Sequence, residues 1–161
     1  MRTSLNLTVV TLAALLSMGD ARSPVYTMAP TDVCGLLTST DIDNVMGVSM
    51  GVGKTVASTA CQWRQSVKQG DPAAIIDLTI MDLRRYELGK AIAGSPRFKV
   101  TPVSGLGDDA YYSASTDGKI TDLRVKKGDR AFAVHVWGGG MPGSQAEPKE
   151  LALAKNVVPK F

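Results

Sequence analysis

The stretch from Asp109 to Trp137 reads DAYYSASTDGKITDLRVKKGDRAFAVHVW. Two turn signals divide it, Ser115-Thr116-Asp117-Gly118 and Lys127-Gly128-Asp129. The runs they leave, 109–114, 120–126 and 131–137, have strand length, and the intervening segments are short enough for hairpins. Three successive antiparallel strands follow. In the last, Phe132, Val134 and Val136 alternate with Ala133, His135 and Trp137. One sheet face is therefore buried, and the other carries polar and aromatic groups.

Working upstream, 60–66 and 74–81 repeat this pattern. Cys61, Trp63, Ile76 and Leu78 share the inner face with Leu123, Val125, Phe132 and Val134. Gln69-Gly70-Asp71-Pro72 supplies a turn between the two runs. Residues 83–93 (LRRYELGKAIA) suggest a helix, and Pro96 and Pro102 punctuate a connection after it. Nearer the start, Thr31 caps a short helix carrying Val33, Cys34, Leu36 and Leu37. Thr38 and Asp41 have capping-box spacing for a second, which Gly47 ends. Downstream, Ser144 and Glu147 have the same spacing, and Ala154, Val157, Val158 and Phe161 form an apolar helical stripe that Pro159 interrupts. The expectation is an α+β domain of two layers. It has a mainly antiparallel sheet of about five strands, with helices packed on one face and the other face wet.

The beginning of the chain has a different character. Arg2, the apolar run LNLTVVTLAALL and Ala21 stand in the order of a secretory signal peptide, which makes 1–21 a removable leader. Residues 22–30 then read as an extended leader and 31–161 as one domain. The apolar run is well short of the roughly 20 residues that span a bilayer. The expected location is therefore exported, periplasmic or extracellular. In that setting the two cysteines, Cys34 and Cys61, are most simply a structural disulfide. Closing the loop between them would stabilise the fold by about 3 to 4 kcal/mol. The alternative is a reactive thiol pair, but the spacing is unlike Cys-x-x-Cys and no cationic cluster adjoins either residue.

Composition narrows the function. The 161 residues are 44% hydrophobic and 20% charged, with a net charge of +3 and one histidine. That charge is too mild to argue for nucleic acid, and one His with two Cys does not make a typical zinc centre. Gly51-Val52-Gly53-Lys54-Thr55 resembles the end of a phosphate-binding loop, yet the first glycine of that motif would fall on Val48. Asp108-Asp109 reads as a turn and strand start, because neighbouring strand residues point to opposite faces. Arg84-Arg85 and Lys126-Lys127 lie among acids and read as mixed-charge surface. Tyr111-Tyr112 with Trp137 could form an aromatic platform, of which alternation frees only a part. His135 belongs to no catalytic motif.

Cys34-Gly35-Leu36-Leu37-Thr38, Cys61-Gln62-Trp63 and Gly105-Leu106-Gly107-Asp108-Asp109-Ala110-Tyr111 stand in that order along the chain. In order and spacing they resemble a group of small exported bacterial domains of unknown function, many of them lipoproteins. The likeness covers about residues 30–161. It implies a paired Cys34 and Cys61, a compact α+β fold, and no enzymatic activity that can be carried over. This chain lacks the lipid-attachment cysteine of that group.

These readings converge on an exported, soluble, non-catalytic binding or accessory domain of the bacterial envelope. No cofactor is called for, and the expected partner is a protein or envelope component. The candidate partner surface comprises Arg64, Arg124, His135 and Trp137 on the outer sheet face, with Met141 as the apolar tip of the adjoining 138–145 loop. A second reading is a periplasmic inhibitor or immunity protein that places this loop in an enzyme's cleft. A hydrolase, the third, would need carboxylates converging in a pocket.

Overall fold

The computed structural model describes residues 32–93 and 95–161; the signal peptide and extended leader expected over 1–30 lie outside them. Seven strands form one antiparallel sheet: β1 (Lys54–Ala57), β2 (Ala60–Arg64), β3 (Ala74–Asp82), β4 (Phe98–Pro102), β5 (Asp109–Ser115), β6 (Thr121–Lys127) and β7 (Arg130–Gly138). Their order across the sheet is β1-β2-β3-β7-β6-β5-β4. Three helices accompany them, α1 (Ser39–Met46), α2 (Leu83–Ala93) and α3 (Gly143–Val157).

Two meanders, β1-β2-β3 and β4-β5-β6-β7, are joined where β3 meets β7. That pairing runs from Ala74 opposite Gly138 to Asp82 opposite Arg130. Gly118 and Gly128 take positive φ in the hairpins that the turn signals mark. The five strands read from the sequence are all present, and β1 and β4 make up the seven. Both added strands are edges. All four residues of β1 are exposed, and β4 has no fully buried residue and ends on Pro102, so neither shows the strong inside-outside contrast of a half-buried strand.

One face holds the main core. Cys61, Trp63, Ile76, Leu78, Leu123, Val125, Phe132 and Val134 cluster there, as the alternation requires, with Ile42 and Met46 of α1 and Leu153, Ala154 and Val157 of α3. Cys34, in a 3-10 turn (Cys34–Leu36) where a short helix was expected, forms a disulfide with Cys61, the Cα atoms 5.2 Å apart. The bond ties the start of the described chain to the inner face of β2. The Thr38–Asp41 capping box forms, and Gly47 ends α1 in the left-handed region. Lys149 of α3 donates to the carbonyls of Val45 and Met46, satisfying the end of α1.

The opposite face is not uniformly wet. Tyr86 of α2 packs there with Met81, Tyr111, Ala131 and Ala133, so α2 lies across the sheet from α3. The expected two layers with helices on one face are corrected accordingly. The physical reason is that 83–93 follows directly from β3, and Tyr86 finds small residues, Ala131 and Ala133, beneath it. The Ser144 capping box is also corrected. Pro142 occupies the N-cap of α3 with no side-chain cap, and Gly143 N–H donates to Gly118 carbonyl at 3.0 Å. At Val157 the helix gives way to a 3-10 turn containing Pro159, as the proline requires.

Candidate functional site

Strand register lays polar residues in rows on the face that α2 shares. Gln62 stands opposite Asp77, Asp77 opposite His135, and Ser113 opposite Asp122. A second row carries Thr79, Ala133, Arg124 and Tyr111, and a third Met81, Ala131, Lys126 and Asp109. The far end of the face is closed by α2. There Tyr86 meets Tyr111 edge-on with centroids 5.2 Å apart, and Asp109 accepts from Tyr86 Oη at 2.9 Å and Lys90 Nζ at 2.6 Å. The Lys90 bond, with help from Tyr86, holds the Asp109 carboxyl below its usual range.

Beside α2 the sheet floors a cleft of about 590 Å³. Asp77, Thr79, Ser113, Asp122, Arg124 and His135 line its polar floor, while Val56, Ile92, Phe98 and Ile120 supply apolar walls from four separate segments. Val56, Ile92 and Ile120 are largely exposed, so the apolar material stands at the rim.

The floor is braced by hydrogen bonds. Asp77 accepts from Gln62 Nε2 at 2.8 Å and from Trp137 Nε1 at 2.7 Å. Trp137, 40% exposed, also stacks on His135 with centroids 6.1 Å apart. Burial pushes the His135 imidazole below its ordinary pKa, against the pull of the Asp122 and Asp77 carboxylates, so the ring is neutral near pH 7. Asp122 accepts from Arg124 Nε at 2.6 Å. Burial opposes the Arg124 charge, but Asp122 and Tyr111 together more than compensate, and the guanidinium pKa is raised. Arg124 fits under α2 because residue 89 is glycine; a Cβ there would overlap its Nη1.

The five surface candidates separate into three groups. Arg124 and His135 line the cleft, and Trp137 is held beside it through Asp77 and His135. Arg64 is exposed on β2 but does not line the cleft. Met141 is half-buried and packs against the main core, so it is not a free apolar tip. Its loop is tied down by Gly139 N–H on Ala73 carbonyl and Met141 N–H on Gly138 carbonyl. Gly138, Gly139 and Gly140 all adopt positive φ, which makes the segment a tight turn.

The other motifs have structural roles. Lys54 and Thr55 open β1, where a phosphate-binding loop would feed a helix. Gly53 lies against the disulfide region: an added Cβ would sit 2.6 Å from Trp63 Nε1 and 2.9 Å from Cys61 Sγ. Asp108 accepts from Gly128 N–H at 2.7 Å while Asp109 serves Tyr86 and Lys90, so the pair does separate work. Tyr111 and Tyr112 are both buried, on opposite faces. No group of three or more metal-ligating side chains that could hold an ion occurs among the described residues.

Sequence reasoning missed Asp77, Asp122 and Ser113 as cleft residues. The signal was visible for Asp77, a lone charge inside the apolar run Ile75-Ile76-Asp77-Leu78. Comparison with protein-family models, curated proteins and solved structures found no match.

Proposed function

We propose that this chain is an exported, non-catalytic binding domain of the bacterial envelope that holds its partner in the cleft between α2 and the sheet. The observation that carries the reading is the cleft's construction, a braced polar floor under exposed apolar residues. Concave sites of this size, with a few convergent polar groups, are the usual form of a ligand pocket. Export is supported by the leader-like segment, by the disulfide, and by the resemblance to small exported domains. Among the described residues no helix is long and apolar enough to cross a membrane.

The hydrolase reading required carboxylates in a pocket, and Asp77 and Asp122 both line the cleft. Each is engaged by neighbouring donors. The inhibitor reading loses the support of a protruding 138–145 loop, since Met141 packs inward.

The test uses the mature protein as bait in envelope extract. A stoichiometric partner should be retained by the wild type and by Lys155→Glu, on α3. It should be lost at least tenfold by Ile92→Asp, which charges the cleft rim, with circular dichroism showing that each variant is folded. Retention by Ile92→Asp would move the partner surface off the cleft.

A further inference from the structure

The segment that joins the two meanders carries an excess of positive charge. Residues 83–102 hold Arg84, Arg85, Lys90, Arg97 and Lys99 against Glu87 alone, a net +4 where the whole chain has +3. Ion pairs account for little of it. Lys90 is used by Asp109, and Glu87 by Lys126 of the sheet. Arg84, Arg85, Arg97 and Lys99 have no ion pair among the described residues. Asp82, next to α2 in sequence, accepts from the Arg85 backbone N–H at 2.7 Å, so it caps the helix and bonds neither guanidinium. Arg84 and Arg85 also stand in the first turn of α2, at the positive end of its dipole, where a cation weakens a helix. Folding does not account for them.

A second, independent observation is what α2 shows to solvent. Tyr86 turns inward and is fully buried, which seats the helix on the sheet. Leu88 and Ile92, one turn apart, are each 57% exposed, more than Trp137. Arg84 precedes Leu88 by one further turn. Arg84, Leu88 and Ile92 therefore form a stripe at i, i+4 and i+8 on the side of α2 away from Tyr86. The stripe crowns a helix that lies on the sheet, so it is convex. Arg84 and Leu88 do not line the cleft.

We propose that this side of α2 is a docking ridge for the surface of an anionic lipid bilayer. Leu88 and Ile92 enter the boundary between headgroups and acyl chains, while Arg84, Arg85, Arg97 and Lys99 meet lipid phosphates. Aliphatic side chains flanked by basic ones are the composition of interfacial helices, whose apolar residues sink about 5–10 Å. A negative leaflet attracts each basic residue held near it. A protein partner fits the stripe less well. Protein hot spots favour Trp, Tyr and Arg in enclosing pockets, with Leu under-represented, and a convex ridge offers no pocket. A bilayer deforms around such a ridge and needs none. This inference does not depend on the cleft, since Arg84 and Leu88 lie outside it.

The experiment sediments the mature, disulfide-bonded protein with vesicles of phosphatidylcholine, alone or mixed with an equal part of phosphatidylglycerol. The bound fraction should be about threefold higher or more on the anionic vesicles. It should fall as salt is raised and screens the attraction. Arg84→Gln and Leu88→Gln should each cut this binding by about half or more. Lys155→Gln, which removes the same charge from α3 on the other face, should leave it unchanged. Neither ridge side chain has a hydrogen bond or ion pair among the described residues, and glutamine is a good helix former, so the fold is retained. Equal sedimentation with both kinds of vesicle, or none with either, would overturn the proposal. Binding that survives Arg84→Gln would place the lipid on another surface, and binding that survives Leu88→Gln would reduce it to adsorption by charge; either result overturns the ridge. Binding to soluble polyglutamate without binding to vesicles would overturn it in favour of an acidic protein. In the envelope-extract capture, Arg84→Gln and Leu88→Gln should keep the partner that Ile92→Asp loses, so the ridge and the cleft readings fail separately.

Discussion

Glu150 is the least expected side chain in the core. It is 0% exposed, on the apolar stripe of α3 between Ala146 and Leu153. Its Oε1 accepts from Val136 N–H at 2.9 Å and Thr121 Oγ1 at 3.1 Å, while Oε2 is buried without a partner. The paired positions of β6 and β7 end at Leu123 and Val134, so Glu150 satisfies a backbone donor just where the two strands part. Burial drives its pKa up to about 8 from an ordinary 4.5, outweighing the two hydrogen bonds; Asp122 and Glu147 push the same way. The folded state therefore keeps a proton that the unfolded chain has released. Stability from this group is complete below pH 4.5 and is lost as pH rises through about 8. His135 has the opposite effect, since its lowered pKa makes stability rise with pH, but that contribution is finished by its ordinary value of 6.5. Between pH 6.5 and 8 the Glu150 slope should stand alone and cost up to about 2 kcal/mol. Urea denaturation across that range should show the loss in the wild type and a nearly flat line in Glu150→Gln, whose amide still accepts from Val136. The same slope in both proteins would place the titrating group elsewhere.

At the scale of elements, α2 is the segment that turns an outer sheet face into a cleft, and Gly89 is where its fit is set. An alanine inside a helix is ordinarily about 0.8 to 1 kcal/mol better than glycine. Here the added Cβ would overlap Arg124 Nη1 and stand 3.1 Å from Tyr111 Oη. Arg124 is held by Asp122, so moving it means giving up a partly buried, charge-assisted bond worth about 1.5 to 3 kcal/mol. The loss exceeds the gain, and Gly89→Ala should destabilise by about 1 kcal/mol. In an Arg124→Ala background the obstacle is gone, and the same substitution should stabilise. A double-mutant cycle by thermal denaturation measures the sign change; stabilisation of similar size in both backgrounds would mean that Arg124 does not fill the space over Gly89. This arrangement could not be read from 83–93 alone. The helix is legible from its ends, and Tyr86 is one apolar residue among charged ones, but which sheet face it meets depends on the small residues at 131 and 133. The edge strands were hidden for a related reason. Their side chains are mostly exposed, so the burial that writes alternation into a sequence does not act on Lys54–Ala57. Where burial is complete, at Cys61, Trp63, Leu78 and Phe132, the phase was readable, and with it the outward positions of Arg124, His135 and Trp137.

Across the whole molecule, stability is organised around one junction. The β1-β2-β3 and β4-β5-β6-β7 meanders each contain only neighbour-to-neighbour pairings, and β3 against β7 is the pairing that unites them. It is also the longest register, nine residues on each strand. The connection between the meanders passes through α2 on one face, and the chain returns after β7 through α3 on the other. The main core cluster draws on both meanders, with Trp63, Ile76 and Leu78 from the first and Leu123, Val125 and Phe132 from the second. Neither meander can bury its inner face without the other, which predicts a single cooperative unit. Native-state hydrogen exchange should therefore find the slowest amides in β3 and β7, with the same opening free energy on the two strands, because both are released only by global unfolding. Amides of β1 and β4 should exchange faster, since each edge strand is paired on one side only and can fray without parting the junction. Distinct opening energies for β3 and β7 would show that the two meanders unfold separately, and the junction would then be a contact between subdomains rather than the centre of one.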